Sequence, residues 1–179
     1  MSKKIFVTGA MGFVGGYWCK RLLKEGFIVY GLDIKSNNIK HKNFTYFKKS
    51  VFNYKLVERI IKKSDVICHF AGIAEPTKYL TNTNEVIDLT INPSFKIVKL
   101  CTRYKKKLLF TSTSEVYGKS HKIPFNENDD RVLGATTYSR WCYSSSKALV
   151  EHLIIANGDE NKLDYVIFRL FNVYGPNLK

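Results

Sequence analysis

The chain has only four cysteines in 179 residues, and no two of them form a C-x-x-C pair. Cys19, Cys68, Cys101 and Cys142 are widely spaced and have no histidine at metal-ligand spacing, which argues against both a zinc site and a disulfide framework. Reduced thiols in a core are expected, and no metal. No apolar stretch approaches the ~20 residues a membrane helix needs, and Met1-Ser-Lys-Lys4 runs straight into an apolar segment without a signal-peptide core. A soluble, cytoplasmic protein with no membrane partner is the expectation. Acidic residues are scarce as well, 15 against 29 lysines and arginines, for a formal charge of +14. The lysines are scattered through Lys48-Lys49, Lys62-Lys63 and Lys105-Lys106-Lys107 and do not line one helix, so they read as solvated surface and no nucleic-acid partner is expected. A ligand carrying a pyrophosphate would still benefit from this field.

What is present is a globular composition, 45% hydrophobic and 14% aromatic, at a length that suits one domain over residues 1–179. Short β-branched or aromatic runs alternate with amphipathic stretches, the pattern of an α/β fold with a doubly wound parallel sheet. Strands are predicted at Lys4 to Thr8, Ile28 to Asp33, Phe44 to Phe47, Val66 to Phe70, Leu108 to Thr111 and Tyr165 to Arg169. Helices are predicted at Phe13 to Lys24, Tyr54 to Lys63, Glu85 to Tyr104 and Trp141 to Ala156. Gly118 to Arg140, with Pro124, Asn126, Asn128 and Gly134, reads as a long loop of functional character.

The first strand runs into Thr8-Gly9-Ala-Met-Gly12-Phe-Val-Gly15. Here a strand must turn sharply and feed a helix: Gly9 supplies the turn, Gly12 lets backbone amides approach a pyrophosphate, and Gly15 lets the helix lie close to the strand. The helix start at Phe13 and Val14 then faces the anion. Asp33 follows 18 residues after Gly15, near the ~20-residue spacing at which a carboxylate accepts from an adenosine ribose. A carboxylate there repels a 2′-phosphate, which favours NAD over NADP.

Further along, Leu108-Leu-Phe110 leads into Thr111-Ser-Thr-Ser-Glu115. In a doubly wound sheet this delivers hydroxyls and a carboxylate beyond the carboxyl end of a strand, where ligands lie. In Trp141-Cys-Tyr-Ser-Ser-Ser-Lys147 the helical i, i+4 spacing puts Tyr143 and Lys147 on one face. A phenol with pKa near ~10 becomes a base when an ammonium and a cationic ring stabilise its phenolate. Tyr143 would remove a hydroxyl proton while hydride leaves the same carbon, Thr113 would bond the reacting oxygen, and Lys147 would hold the cofactor ribose and lower the tyrosine pKa.

Together with Asp65-Val-Ile-Cys-His-Phe-Ala-Gly72, Asn92, and Phe168-Arg-Leu-Phe-Asn-Val-Tyr-Gly-Pro176, these motifs make the chain similar to the extended short-chain dehydrogenases/reductases. That family comprises nucleotide-sugar epimerases, dehydratases and decarboxylases built on a Rossmann sheet. The resemblance runs along essentially the whole chain. Tyr30-Gly-Leu-Asp33, Thr113-Ser-Glu-Val-Tyr-Gly118 and Arg140-Trp-Cys-Tyr-Ser-Ser-Ser-Lys147 most resemble UDP-glucuronic acid decarboxylases. The resemblance implies NAD held by Gly9, Gly12, Phe13, Val14, Gly15, Asp33, Ala71, Tyr143 and Lys147. It implies catalysis by Thr113, Glu115, Tyr143 and Lys147, and a UDP-sugar met by Ser114 and Asn172. Glu115 would position the carboxylate region or handle a proton, or in a 4,6-dehydratase take the C5 proton; those enzymes usually carry aspartate where Ser114 stands. Epimerases often lack the acid at position 115. Where the family has Gly-Asp to meet adenine, this chain has Phe47-Lys-Lys-Ser-Val51, which implies either weaker adenine recognition or a contact carried by Ser50 and backbone. A homodimer through the helices near residues 85–104 and 141–156 is implied. So is a continuation past Lys179 into a small substrate domain, largely missing here; a chain ending at Lys179 would instead read as a non-catalytic NAD-binding module.

Overall fold

In the computed structural model, which describes residues 2–176, six parallel strands form one sheet in the order β3-β2-β1-β4-β5-β6. They are β1 (Lys4–Thr8), β2 (Ile28–Asp33), β3 (Phe44–Lys48), β4 (Val66–His69), β5 (Lys107–Thr113) and β6 (Tyr165–Leu170). Five helices connect them: α1 (Phe13–Lys24), α2 (Tyr54–Lys63), α3 (Pro76–Thr81), α4 (Thr83–Arg103) and α5 (Trp141–Asn161). The order reverses at β1, which pairs with β2 on one side and β4 on the other. In such sheets the crevice for a ligand opens there, beyond the carboxyl ends of the strands.

Both faces of the sheet are covered, so the strands read as nearly continuous apolar runs. Ile5 and Val7 of β1 face α1, where Cys19, Leu22 and Leu23 recur at helical spacing and close a core with Val29 and Cys68. Phe6, between them, points to the opposite face and meets Ile67, Val57 and Ile61 of α2, Ile97 of α4 and Ile154 of α5. Cys19, Cys68 and Cys101 are buried free thiols, and burial pushes the first two up to about 12, away from thiolate chemistry.

Three departures from the sequence reading have physical causes. Strand β5 runs to Thr113, two residues past the expected end, because β6 continues the ladder as far as Thr113 opposite Leu170. Helix α5 runs to Asn161 and not to Ala156. It passes through Gly158 because a Cβ there would lie 2.3 Å from the Tyr165 ring, so the gap left by hydrogen is filled by packing; Lys162, at φ 59°, then ends the helix. Helix α3 was not foreseen: six residues are too few for periodicity, and the available signal was Pro76 at a first-turn position.

The segment 118–140 has no regular element, as expected, yet it is tied down. Val132 bridges to Gly118, Arg131 donates to the Val116 carbonyl at 3.1 Å, and Arg169 of β6 donates to the Glu127 carbonyl at 3.0 Å. Arg169 is in turn held by Glu151 of α5 at 2.7 and 3.2 Å, in a mostly buried pair.

Candidate active site

The glycine turn is built as the sequence predicts. Gly9 has φ +69°, and a Cβ on it would lie 2.8 Å from the Ala71 nitrogen; a Cβ on Gly15 would lie 2.0 Å from the Gly9 carbonyl oxygen. Neither position has room for a side chain. Gly12, the residue before α1, supplies no side-chain cap, and the first turn of the helix has no acidic residue. That end is thus a concentration of backbone N–H groups and positive dipole with nothing of the protein's own to neutralise it. It opens into a cavity of about 620 Å³ lined by Gly9, Gly12, Phe13, Val14 and Gly15. A pyrophosphate fits such an end in shape and charge.

Across the cavity stand Thr113, Ser114 and Glu115 from the end of β5, and Tyr143 and Lys147 from α5. Asn172 lies on the third wall with Phe171 and Val173. Two of the expected cofactor residues are placed differently. Asp33 is not among the lining residues; its carboxylate accepts from Met11 N at 2.9 Å and Lys35 N at 3.0 Å, so it fastens the glycine turn to the end of β2. Each oxygen keeps a lone pair for a further donor. Ala71 also lies behind the wall, packed on the core, while its neighbours Phe70 and Gly72 face the cavity. Ser50, proposed for adenine, has its hydroxyl engaged by Phe52 N at 3.2 Å. Residues 118–139 are not among those lining this cavity; Arg140, at the end of the loop, reaches the site through Glu115.

Glu115 is held from three directions. Its N–H donates to Thr113 Oγ1 at 3.2 Å, its carbonyl accepts from the Ser144 hydroxyl at 2.7 Å, and its carboxylate pairs with Arg140 at 3.3 Å. Neither Ser144 nor Arg140 was singled out in the sequence, although both lie in the Arg140 to Lys147 run. The third unforeseen residue is Tyr79 of α3, buried against the cavity, whose ring stacks on that of Tyr143 at 4.7 Å and 11°.

The electrostatics correct one expectation. Lys147 was to depress the Tyr143 pKa, but burial, followed by the charge of Glu115, pushes Tyr143 up to about 12. Lys147 lies 5.8 Å from the Tyr143 ring centroid and donates to the Thr111 carbonyl at 2.7 Å. Its own pKa falls to about 8, because burial disfavours the ammonium more than the nearby Glu151 carboxylate favours it. Among the described residues this is its one hydrogen bond, so two of its three N–H donors remain unspent. Close by, the Ser112 hydroxyl is buried at the cavity wall without a partner.

Comparison with known proteins gives the following. The model of the NAD dependent epimerase/dehydratase family matches residues 5–179. The chain is 40% identical over 183 residues to the bifunctional polymyxin resistance protein ArnA of Wigglesworthia glossinidia brevipalpis, covering 98% of this chain and 28% of that protein. Among solved structures it is similar to the PbgP3 protein from Burkholderia pseudomallei, with 33% identity, a TM-score of 0.93, and 99% of this chain matched to 55% of that one. It is also similar to a UDP-N-acetylglucosamine 4-epimerase from Methanobrevibacter ruminantium, solved with UDP-N-acetylmuramic acid, at 28% identity and a TM-score of 0.89 over 99% of this chain and 57% of the other. The chain therefore spans little more than half the length of these solved relatives, and less than a third of the first protein.

Proposed function

Since the chain belongs to the NAD dependent epimerase/dehydratase family, we propose that it carries the cofactor site and the oxidising residues of an NAD-dependent enzyme acting on a UDP-linked sugar. The reaction we assign is most like that of the UDP-glucuronic acid decarboxylases. One observation carries the reading: the bare end of α1 and the group Thr113, Glu115, Tyr143 and Lys147 open into the same cavity. Gly9, Gly12, Phe13, Val14 and Gly15 would hold the pyrophosphate, with Asp33 accepting from the adenosine ribose through its remaining lone pairs. Bound NAD, in its oxidised form, would supply both a hydride acceptor and a positive charge near Tyr143.

Tyr143 takes the proton of the sugar's C4 hydroxyl as the C4–H bond gives up its hydride. Burial, and then the Glu115 charge, oppose the phenolate, so this step depends on the cationic cofactor and on Lys147, whose two unspent donors suit ribose hydroxyls. The Thr113 oxygen already accepts from Glu115 N, which leaves its own proton to donate to the reacting oxygen. The resulting C4 ketone makes the sugar a β-keto acid: the C5–C6 bond breaks, its electron pair passes into an enolate, and carbon dioxide leaves. Glu115, held by Arg140 and Ser144, is the candidate to manage the proton that C5 then takes up. Ser114 and Asn172 line the wall assigned to the sugar.

A 4-epimerase or a 4,6-dehydratase shares the first half of this chemistry, and the epimerase reading has support from the similarity to a solved 4-epimerase. Ser114, standing where dehydratases usually have aspartate, speaks against dehydration. A homodimer is part of the proposal: α4 and α5 lie side by side, and α5 exposes Leu149 and Ile155. A monomeric mass at micromolar concentration would remove it. The function is tested by supplying NAD and UDP-glucuronic acid to the protein and following carbon dioxide and a 4-keto pentose. Tyr143→Phe should lower turnover at least ~100-fold, the scale of one general base, with NAD still bound. Unchanged turnover in that variant removes Tyr143 from its role; NAD binding without turnover of any UDP-sugar would leave a binding module.

A further inference from the structure

We propose that His69 is a positioning residue: protonated on Nε2 and unprotonated on Nδ1, it anchors a one-way chain of hydrogen bonds that sets the glycine turn against the next wall of the cavity. The proposal rests on the reading that this cavity takes the dinucleotide.

His69 ends β4 and is only 1% exposed, enclosed between β1 and α4. Its Nδ1 lies 2.7 Å from Thr8 Oγ1 and its Nε2 lies 3.0 Å from Ser94 Oγ. The direction of each bond follows from counting protons, because a hydroxyl has one proton to give and two lone pairs to receive. Ser94 donates its proton to the Thr90 carbonyl at 2.5 Å, so toward His69 it can only accept, and Nε2 must carry hydrogen. Thr8 Oγ1 accepts from Ala71 N at 3.2 Å and from Phe70 N at 3.2 Å, the latter shared with the Thr8 carbonyl, so both its lone pairs face N–H donors. Its own proton is left for Nδ1. Neither the other tautomer nor an imidazolium can be placed here without leaving one donor facing another.

The chain ends where the cavity begins. Ala71 N belongs to the Phe70–Ala71 peptide against which Gly9 is pressed, with less than 3 Å available for any Cβ. Gly9, Phe70 and Gly72 are lining residues. Thr8 thus joins the turn to the wall, and His69 fixes which way Thr8 points. The surroundings keep the ring neutral: burial, and then the Lys147 ammonium, hold it down at about 3. His69 packs on Phe110 with ring centroids 5.9 Å apart, and Lys147 Nζ lies 4.6 Å from the centroid of that same Phe110 ring. An apolar side chain of similar size would fill the volume but release Thr8.

Two measurements decide the proposal. A nitrogen-15 spectrum of the histidine rings in the unaltered chain should show His69 as the neutral Nε2–H tautomer; an Nδ1–H tautomer or an imidazolium at neutral pH overturns it without any substitution. His69→Leu and Thr8→Val should each speed amide exchange at Phe70 and Ala71 and weaken NAD binding about tenfold, the effect of roughly one lost hydrogen bond. The double variant should be little worse than either one, because both break the same chain. Thr8→Ser, which keeps the hydroxyl, and His69→Asn, whose carbonyl oxygen can take the place of Nδ1, should recover most of the affinity. Folded Leu and Val variants with unchanged exchange and NAD affinity would reduce His69 to core filling. If the unaltered chain binds no NAD, the functional reading fails, while ring spectrum and amide exchange still judge the hydrogen-bond chain.

Discussion

Helices α1 and α2 both begin beyond the carboxyl ends of parallel strands, but their first turns are finished in opposite ways. Asn53 caps α2, its side chain accepting from Leu56 N at 3.2 Å; Gly12 gives α1 no cap at all. The same contrast recurs one helical turn apart on α5. Lys147 and Glu151 are both buried, yet Glu151 gives both its oxygens to Arg169 while Lys147 makes a single bond to a carbonyl. Where polar groups serve the fold they are satisfied from within the chain. Around the cavity, the start of α1, Lys147 and the Ser112 hydroxyl are left wanting.

The contrast can be attacked from either side. The largest effect is expected on the satisfied side: Glu151→Ala strands the Arg169 guanidinium and should cost about 3–5 kcal/mol in urea unfolding, as for other broken buried pairs. Lys147→Met should do the reverse, raising stability by about 1–3 kcal/mol at neutral pH because a poorly solvated ammonium is gone, while abolishing turnover. The pH dependence checks the cause. Folded Lys147 titrates at about 8 against an ordinary 10.5, so between those values the native chain holds fewer protons than the unfolded one and stability rises with pH. The variant should lose that slope.

Making α1 resemble α2 is a sharper test. Gly12 has φ −72° and ψ 172°, which any residue adopts, although a Cβ would press the Gly9 oxygen at 3.2 Å. Gly12→Asp should therefore change stability by less than about 1 kcal/mol but weaken NAD binding at least ~10-fold, since its carboxylate takes the amides and repels the pyrophosphate. Uncapping α2 is the smallest change: Asn53→Ala should lose about 1 kcal/mol in thermal unfolding and leave NAD affinity alone. Equal responses of both helices would dissolve the distinction.

Much of this was legible in the sequence. Alternation of strand and helix patterns, the three spaced glycines and the Tyr143–Lys147 interval are local signals, and the sheet and most of the site follow from them. What was not legible depends on partners distant in sequence. Helix α3 is a single short segment, recognised only by Tyr79 stacking on Tyr143. Asp33 stands at the predicted strand end, but that it holds Met11 is a matter of folding β1 beside β2. The raised Tyr143 pKa belongs to burial, which no i, i+4 rule reports.

The strand order also has a consequence in time. Every neighbouring pair in the sheet is parallel, so no hairpin is available to start it and each pairing waits for a crossover. β1 comes before the other five strands of this sheet in the sequence, yet its second edge stays open until Ile5 can meet Val66. Through that interval the strand that carries Ile5, Phe6 and Val7, all buried in the finished fold, has a bare side. The slow event in folding, and the moment of greatest exposure to misassembly, should be the docking of β4, the strand that brings His69 to Thr8.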